Sequence, residues 1–230
     1  MALLLSLESS TQVCSVALHQ HGKLISHRQI QEPRKAASLL AVGIQQVLAE
    51  SKVSAAELQG VVVTSGPGSF TGLRIGVATA KGICLALNIP LMAINTLDLL
   101  AWQASIALES SITGDEFLCP MLDARRMEVY CKLVDAQRQT VEITQALIID
   151  EETFKEQLNT RVIYFFGEGA GKCQAVIKHP NARFLDGLVP QAKDLGVLGF
   201  SKWEHSYFED VITFEPFYLK DFLIRKPTTG

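Results

Sequence analysis

A strong charge imbalance is missing from this chain. Its 21 Lys and Arg against 24 Asp and Glu leave a net charge of −3, with no basic block. Without a basic stripe the chain lacks the surface on which strong nucleic-acid binding depends. Long uninterrupted apolar runs are also missing, because Gly, Lys or Arg breaks every stretch that approaches membrane-spanning length. Met1 to Leu7 is apolar but has neither the basic start nor the cleavage site of a secretory leader, so it reads as a first strand. Cysteine is sparse. Cys14, Cys84, Cys119, Cys131 and Cys173 are odd in number, widely spaced and set among apolar residues, with no CxxC pair. That pattern argues against a zinc or redox motif and suits reduced, buried thiols in a cytoplasmic protein. Histidine patterns are equally thin. HExxH and HxxxH are absent, His19 and His21 flank a hairpin turn, and His27, His179 and His205 stand alone, so no metal site is expected. No serine has His and acid partners in a motif sense, GxxxxGK[ST] is absent, and no catalytic residue is assigned.

What is present is apolar. Hydrophobic residues make up 48% of 230, enough to build one large domain or two small lobes with a real core. The chain is organised around Gly60 to Leu87. Gly60-Val61-Val62-Val63-Thr64 is a β-branched run that reads as a buried strand. Ser65-Gly66-Pro67-Gly68 must turn sharply. Beyond it, Leu73, Ile75, Val77, Ile83, Leu85 and Leu87 are spread around a helical wheel that only Arg74 and Lys81 interrupt. A helix so apolar is covered on more than one side, by its own sheet and by something else. Gly72, Gly76 and Ala80 fall four apart on one face, which either packs tightly on the chain's own sheet or admits another backbone.

The elements repeat. Strands are expected at Leu3 to Glu8, Val13 to Leu18 and Lys23 to Gln29, followed by a helix from Pro33 to about Glu50. Its apolar stripe is Ala36, Leu40, Ile44, Val47 and Leu48; Leu39 and Val42 lie outside it, and a lone helix on a sheet would not need them. The Gly60 strand and its helix come next, then a strand at Leu91 to Ile94 and a helix that Thr96 caps, running to about Leu108. After a polar boundary at Glu109 to Asp115 the pattern recurs: strands at Phe117 to Asp123, Met127 to Val134 and Gln139 to Ile143, a short helix at Asp150 to Leu158, and a strand at Val162 to Phe166. Glu8 aligns with Asp123, Val13 with Glu128 and Leu18 with Leu133, without a gap. A helix at Ala192 to His205 and an extended ending at Ile212 to Leu219 close the chain. The duplication implies an α/β actin-like, RNase-H-like (ASKHA) two-lobe fold, with an N-terminal lobe over 1–110 and a smaller C-terminal lobe over 111–230.

In such a fold the strand-end turns of each lobe clasp phosphates, using an acid for the metal and a glycine for close backbone approach. Here the turns Glu8-Ser9-Ser10-Thr11 and Asp123-Ala124-Arg125 carry no glycine, while Gly167-Glu168-Gly169-Ala170-Gly171 echoes the turn after Thr64. Lys172 stands where a dinucleotide fingerprint would need glycine. Arg125 and Arg126 either serve an anion or solvate a turn. Glu8, Ser10, Thr11, Asp123, Arg125, Gly167 and Gly169 therefore outline a degenerate nucleotide cleft. No cofactor is expected, weak ATP or ADP binding being the most such a cleft would support. An enzyme reading remains beside this one: an actin-like small-molecule kinase using Glu8 and Asp123 with Mg-ATP.

Ser65-Gly66-Pro67-Gly68-Ser69-Phe70-Thr71-Gly72-Leu73-Arg74-Ile75-Gly76 closely resembles the signature of the TsaB (YeaZ) family. Asp123-Ala124-Arg125 with Glu128-Val129-Tyr130 resembles its second signature, and Glu215-Pro216-Phe217-Tyr218-Leu219-Lys220 its closing stretch, which usually ends in Arg. Ala36 departs from the family, which commonly has His there. The resemblance implies a non-catalytic scaffold that holds TsaD in its working form. TsaD transfers a threonylcarbamoyl group to N6 of adenosine 37 in tRNAs reading ANN codons. The resemblance further implies that TsaE joins through the TsaB–TsaD complex, that the chain forms a homodimer when TsaD is absent, and that it touches tRNA at most indirectly, with no membrane role. The two N-lobe helices would pair with the same helices of a partner, through Leu39, Val42, Phe70, Leu73, Arg74, Val77, Ala78 and Lys81.

Overall fold

The computed structural model describes residues 2–30, 36–109 and 111–219. The expected helix start at Pro33 and the final Lys220 lie outside them. Among the described residues, ten strands form two five-stranded sheets, ordered β3-β2-β1-β4-β5 and β10-β9-β6-β7-β8. In the first, β1 (Leu3–Glu8), β2 (Cys14–Gln20) and β3 (Lys23–Ile30) are antiparallel, while β4 (Gly60–Gly66) and β5 (Leu91–Asn95) continue parallel to β1. In the second, β6 (Phe117–Asp123), β7 (Glu128–Asp135) and β8 (Thr140–Ile148) are antiparallel, with β9 (Ile163–Phe166) and β10 (Ala182–Leu185) parallel to β6. The two orders are the same permutation, as a duplicated actin-like fold requires.

The alignment of the halves slips by one residue. Glu8 pairs with Ser15, and the gapless superposition would set Asp123 opposite Tyr130; it pairs with Val129 instead. The second hairpin turn is one residue tighter. The strand β10 and the one-turn helix α5 (Ala170–Cys173) were not legible in the sequence. Ala182–Leu185 has no β-branched run, and parallel pairing to β9 makes it a strand.

Central strands are buried on both faces, as parallel sheets require. Leu3, Leu5, Leu7, Val61, Val63, Leu91 and Ala93 share a cluster with Leu40 and Val47 of α1 (Ala36–Ser51) and with Val77, Ala80 and Cys84 of α2 (Phe70–Leu87). The opposite face, through Leu4, Val62, Met92 and Ile94, meets Leu195, Leu198, Phe200 and Trp203 of α6 (Ala192–Glu204). In the second sheet one face packs on α3 (Thr96–Ala107) through Leu118, Leu122, Val134 and Phe166. The other is covered by α5, the short α4 (Lys155–Thr160) and the loop residues Ile149, Phe154 and Ile177. Each half of the chain thus sends its last long helix to the other half's sheet or onto the boundary between them. Residues 192–219, placed by sequence in the second lobe, lie against the first sheet: Glu209 bridges to Leu91, and the Phe217 N–H donates to Ser65 O at 2.7 Å.

Helix ends follow local chemistry. Ser69 caps α2 by accepting from Gly72 N at 3.2 Å, and Asn88, at φ 52°, ends it in a left-handed turn. The α3 cap is Asn95 rather than Thr96: its Oδ1 accepts from Leu97 N at 2.9 Å and Asp98 N at 3.4 Å, and Thr96 is already helical. Asn95→Ala is expected to cost about 1 kcal/mol, read as a lowered urea midpoint with unchanged slope. All five cysteines are buried free thiols. Burial pushes Cys84 up to about 12 and Cys14 to about 11, so neither is a ready thiolate. By length and composition α2 could cross a bilayer, yet Gly72, Leu73, Gly76, Val77, Ala80 and Cys84 bury one side of it in the fold.

Candidate functional site

The residues expected at a nucleotide cleft lie in three strand-end turns, after β1, β6 and β9. Glu8 ends β1 and is fully buried; its Oε1 accepts from Ser10 N at 2.7 Å and Ser10 Oγ at 2.6 Å. Its Oε2 and the nearby Thr64 Oγ1 are buried without a well-formed hydrogen bond to described residues, as is Ser9 Oγ, which lies instead against Gly76 of α2. Burial raises Glu8 to about 7, against the opposing pull of the Ser10 and Thr64 hydroxyls, and the Glu168 charge adds to the rise. Thr11 is spent locally, its Oγ1 accepting from Val13 N at 3.3 Å.

Asp123 ends β6 and is exposed. It accepts from Arg125 N at 2.9 Å and is paired with the Lys172 ammonium, which also donates to Glu128 O at 2.6 Å. Partial burial opposes its charge, but Lys172 and the Arg125 N–H outweigh that and lower its pKa. Glu168 is half-buried; burial first, then the Asp123 charge, raises its pKa. Sequence reasoning did not assign Glu168 or Lys172 a role. Both stand in the glycine-rich turn after β9, and the signal for Lys172 was its replacing a fingerprint glycine.

The glycines serve packing. A Cβ at Gly72 or Gly76 would overlap Ser9, so the small-residue face of α2 is filled by the chain's own β1–β2 turn. This closes the question of what approaches that face. The turn is held there by Ser69 N donating to Ser10 O at 2.6 Å. In the second lobe Gly167 and Gly169 are pressed onto Met121 and Leu122, and Gly169 N donates to Met121 O at 3.0 Å. That amide is spent within the chain, so Gly169 does not offer it to a phosphate.

Because Glu8 has a raised folded pKa, its ionisation removes stability as pH climbs from about 4.5 through 7; below that window the group is protonated in both states. Glu8→Gln is expected to be more stable than the parent above pH ~7, by up to about 3 kcal/mol, and indistinguishable near pH ~4. Urea midpoints at the two pH values check this, and parallel curves would remove the argument.

The second candidate site is the outer face of α2. Thr71, Arg74, Ala78, Gly82, Leu85 and Ala86 are exposed along it, Leu85 at 59%. On α1, Val42 is 42% exposed and Leu39 half-buried. Three expected contacts belong elsewhere. Leu73 and Val77 are 1% and 3% exposed, on the sheet side of the helix. Lys81 donates to Ile212 O at 3.0 Å and Phe214 O at 2.9 Å, fastening the chain's own ending to α2. The sequence showed an all-round apolar helix and could not say which side its own ending would cover. Phe70 is half-buried against Tyr218, with ring centroids 4.9 Å apart, and Arg74 lies 5.4 Å from the Phe70 ring centre.

Comparison with known proteins decides the family. The model of the TsaD family, tRNA N6-adenosine threonylcarbamoyltransferase, matches residues 31–160. The chain belongs to this family, as a TsaB (YeaZ) member. A relative from Haemophilus influenzae named tRNA threonylcarbamoyladenosine biosynthesis protein TsaB is 27% identical over 237 residues, covering 99% of this chain and 97% of the relative. The Escherichia coli protein of the same name is 31% identical over 130 residues, 55% of this chain. That match spans about half the length of the E. coli relative, 52%. A crystal structure from Pseudomonas aeruginosa, described as an uncharacterized protein with similarity to peptidase YeaZ, superposes with a TM-score of 0.80 at 26% identity, covering 96% of this chain and 100% of that one. For a TsaB-family chain, the matched segment is informative in itself. Residues 31–160 contain both α1 and α2, so the likeness to TsaD includes the helices that carry the exposed face.

Proposed function

We propose that this chain is the non-catalytic scaffold of threonylcarbamoyladenosine synthesis in the cytoplasm. It pairs through α1 and α2 with TsaD, with TsaE joining the complex, for threonylcarbamoyl transfer to N6 of adenosine 37 in tRNAs reading ANN codons. A second copy takes TsaD's place when TsaD is absent. The observation that carries this reading is the exposed face of α2, Arg74, Ala78, Gly82 and Leu85, with Val42 exposed on α1, the helix that packs against α2. Small and apolar side chains there permit close helix packing, and a likeness to TsaD over the same helices favours a pseudo-symmetric, face-to-face pairing. A stable pairing of this kind buries on the order of 1,200–2,000 Å².

Two features of the cleft favour a scaffold over a kinase. The Lys172 ammonium already neutralises Asp123, the carboxylate a kinase would offer to Mg²⁺. The β1–β2 turn is pinned to Gly72 and Gly76, so it has little room to close over a phosphate. Any binding of ATP or ADP is weak on this reading. The test is co-purification with TsaD, followed by a tRNA modification assay with each subunit left out in turn. Loss of modification when this chain is omitted supports the scaffold. Undiminished modification, or ATP turnover by the chain alone with Mg²⁺, overturns it.

A further inference from the structure

A groove of about 360 Å³ opens between the two sheets and shares no lining residue with the Glu8–Asp123 cleft. One wall carries Ser65 at the end of β4, Asn95 at the end of β5, and Phe217 of the chain's ending. The other carries Lys132 of β7 and Thr140, Ile143 and Thr144 of β8. Its size falls at the small end of small-molecule sites.

The lining chemistry is one-sided. Lysine, asparagine, serine and two threonines supply N–H and O–H donors, and none of the lining residues is acidic. The Lys132 side chain is 12% exposed and holds Asp98 Oδ1 at 2.6 Å, while Asp98 itself is 48% exposed. An ammonium has three donors, so one bond to a half-solvated carboxylate leaves it able to take a second anion. Two apolar side chains that neither sheet has drawn into its core also line the groove, one on each wall. Ile143 is 76% exposed and Phe217 is 42% exposed, and Phe217 is held in place by its N–H on Ser65 O at 2.7 Å.

We infer that this groove binds a small anion with an apolar body, a carboxylate or phosphate ester bearing an aromatic or branched hydrocarbon group. The head group sits on Lys132 and the Thr140 and Thr144 hydroxyls. The body lies between Ile143 and Phe217. Because the walls come from opposite halves of the chain, such a ligand ties the two sheets together. This inference is independent of the scaffold reading, which rests on α1 and α2.

The experiment titrates benzoate, phenyl phosphate and the neutral benzyl alcohol into the full chain, followed by ¹H–¹⁵N shifts. Saturable shifts at Thr140, Thr144 and Lys132 with at least one anion, about tenfold tighter than with the alcohol, are expected. The stronger anion identifies the head group. Lys132→Met and Ile143→Glu are each expected to weaken that anion about tenfold or more, the second by placing a like charge on the wall. Ile143 is so exposed that its glutamate variant should fold normally, so it decides the matter even where Lys132→Met does not fold. No saturation with either anion, equal binding of the alcohol, or parental affinity in the Ile143→Glu variant overturns the proposal.

Discussion

Replacing Ala78 with glutamate is expected to leave the chain folded and to abolish its pairing with TsaD. Ala78 is exposed at the middle of the α2 face, with Arg74 one turn before it and Gly82 one turn after. In the free chain the new carboxylate points into water. In a tight helix pair it would be buried without a designed partner, at a cost of about 3 kcal/mol or more. At 1.4 kcal/mol per tenfold, that weakens binding by about a hundredfold or more. Calorimetric titration with TsaD reads the loss, and unchanged thermal unfolding shows that the fold is intact. A variant that still binds TsaD at parental strength would remove α2 from the interface. The neighbouring substitution separates core from surface: Val77→Glu puts a charge where 3% of the side chain is exposed and is expected to unfold the chain. Its failure to bind would therefore carry no information about the partner face.

A methyl group at Gly72 is expected to be the most damaging small change in the first lobe. Its Cβ would overlap the Ser9 carbonyl oxygen, a backbone atom that a side-chain rotation cannot move. Alanine gains about 1 kcal/mol of helix propensity over glycine, but overpacking against a fixed turn costs more, and the net loss is expected near 2–3 kcal/mol. For a chain of this size each kcal/mol lowers the melting temperature by about 2–4 °C, so Gly72→Ala should melt about 4–12 °C lower. Gly82→Ala is the control: it lies on the same helix with nothing within 4 Å of its Cβ, and should be neutral or slightly stabilising in the free chain. Equal melting temperatures for the two variants would mean that the Ser9 turn yields, and that the small-residue face is not set by it.

These expectations show how far the chain's own pattern reaches. The β-branched run at Gly60 to Thr64, the turn at Ser65 to Gly68 and the apolar helix to Leu87 were all legible, because period and punctuation are local properties. The duplication was legible too, since element order repeats even where residues do not. The cleft was only half legible. Glu8 and Asp123 were found because acids at strand ends stand out, yet Glu8 is buried at about 7 and Asp123 is neutralised by Lys172, 49 residues away. Environment, not residue type, separates those two carboxylates.

By itself the sequence determined nine of the ten described strands, the long helices, their repeated order and the family signature around Gly66 to Gly76. Which side of α2 is spare was decided only in three dimensions. An apolar residue is compatible with a sheet, a chain end or a partner alike, because burial of hydrocarbon has no direction. The first sheet buries Leu73 and Val77, the returning chain end takes up Lys81 through Ile212 and Phe214, and Ala78, Gly82 and Leu85 are left outward. That contact joins residues more than a hundred positions apart, and no periodicity in the chain encodes it.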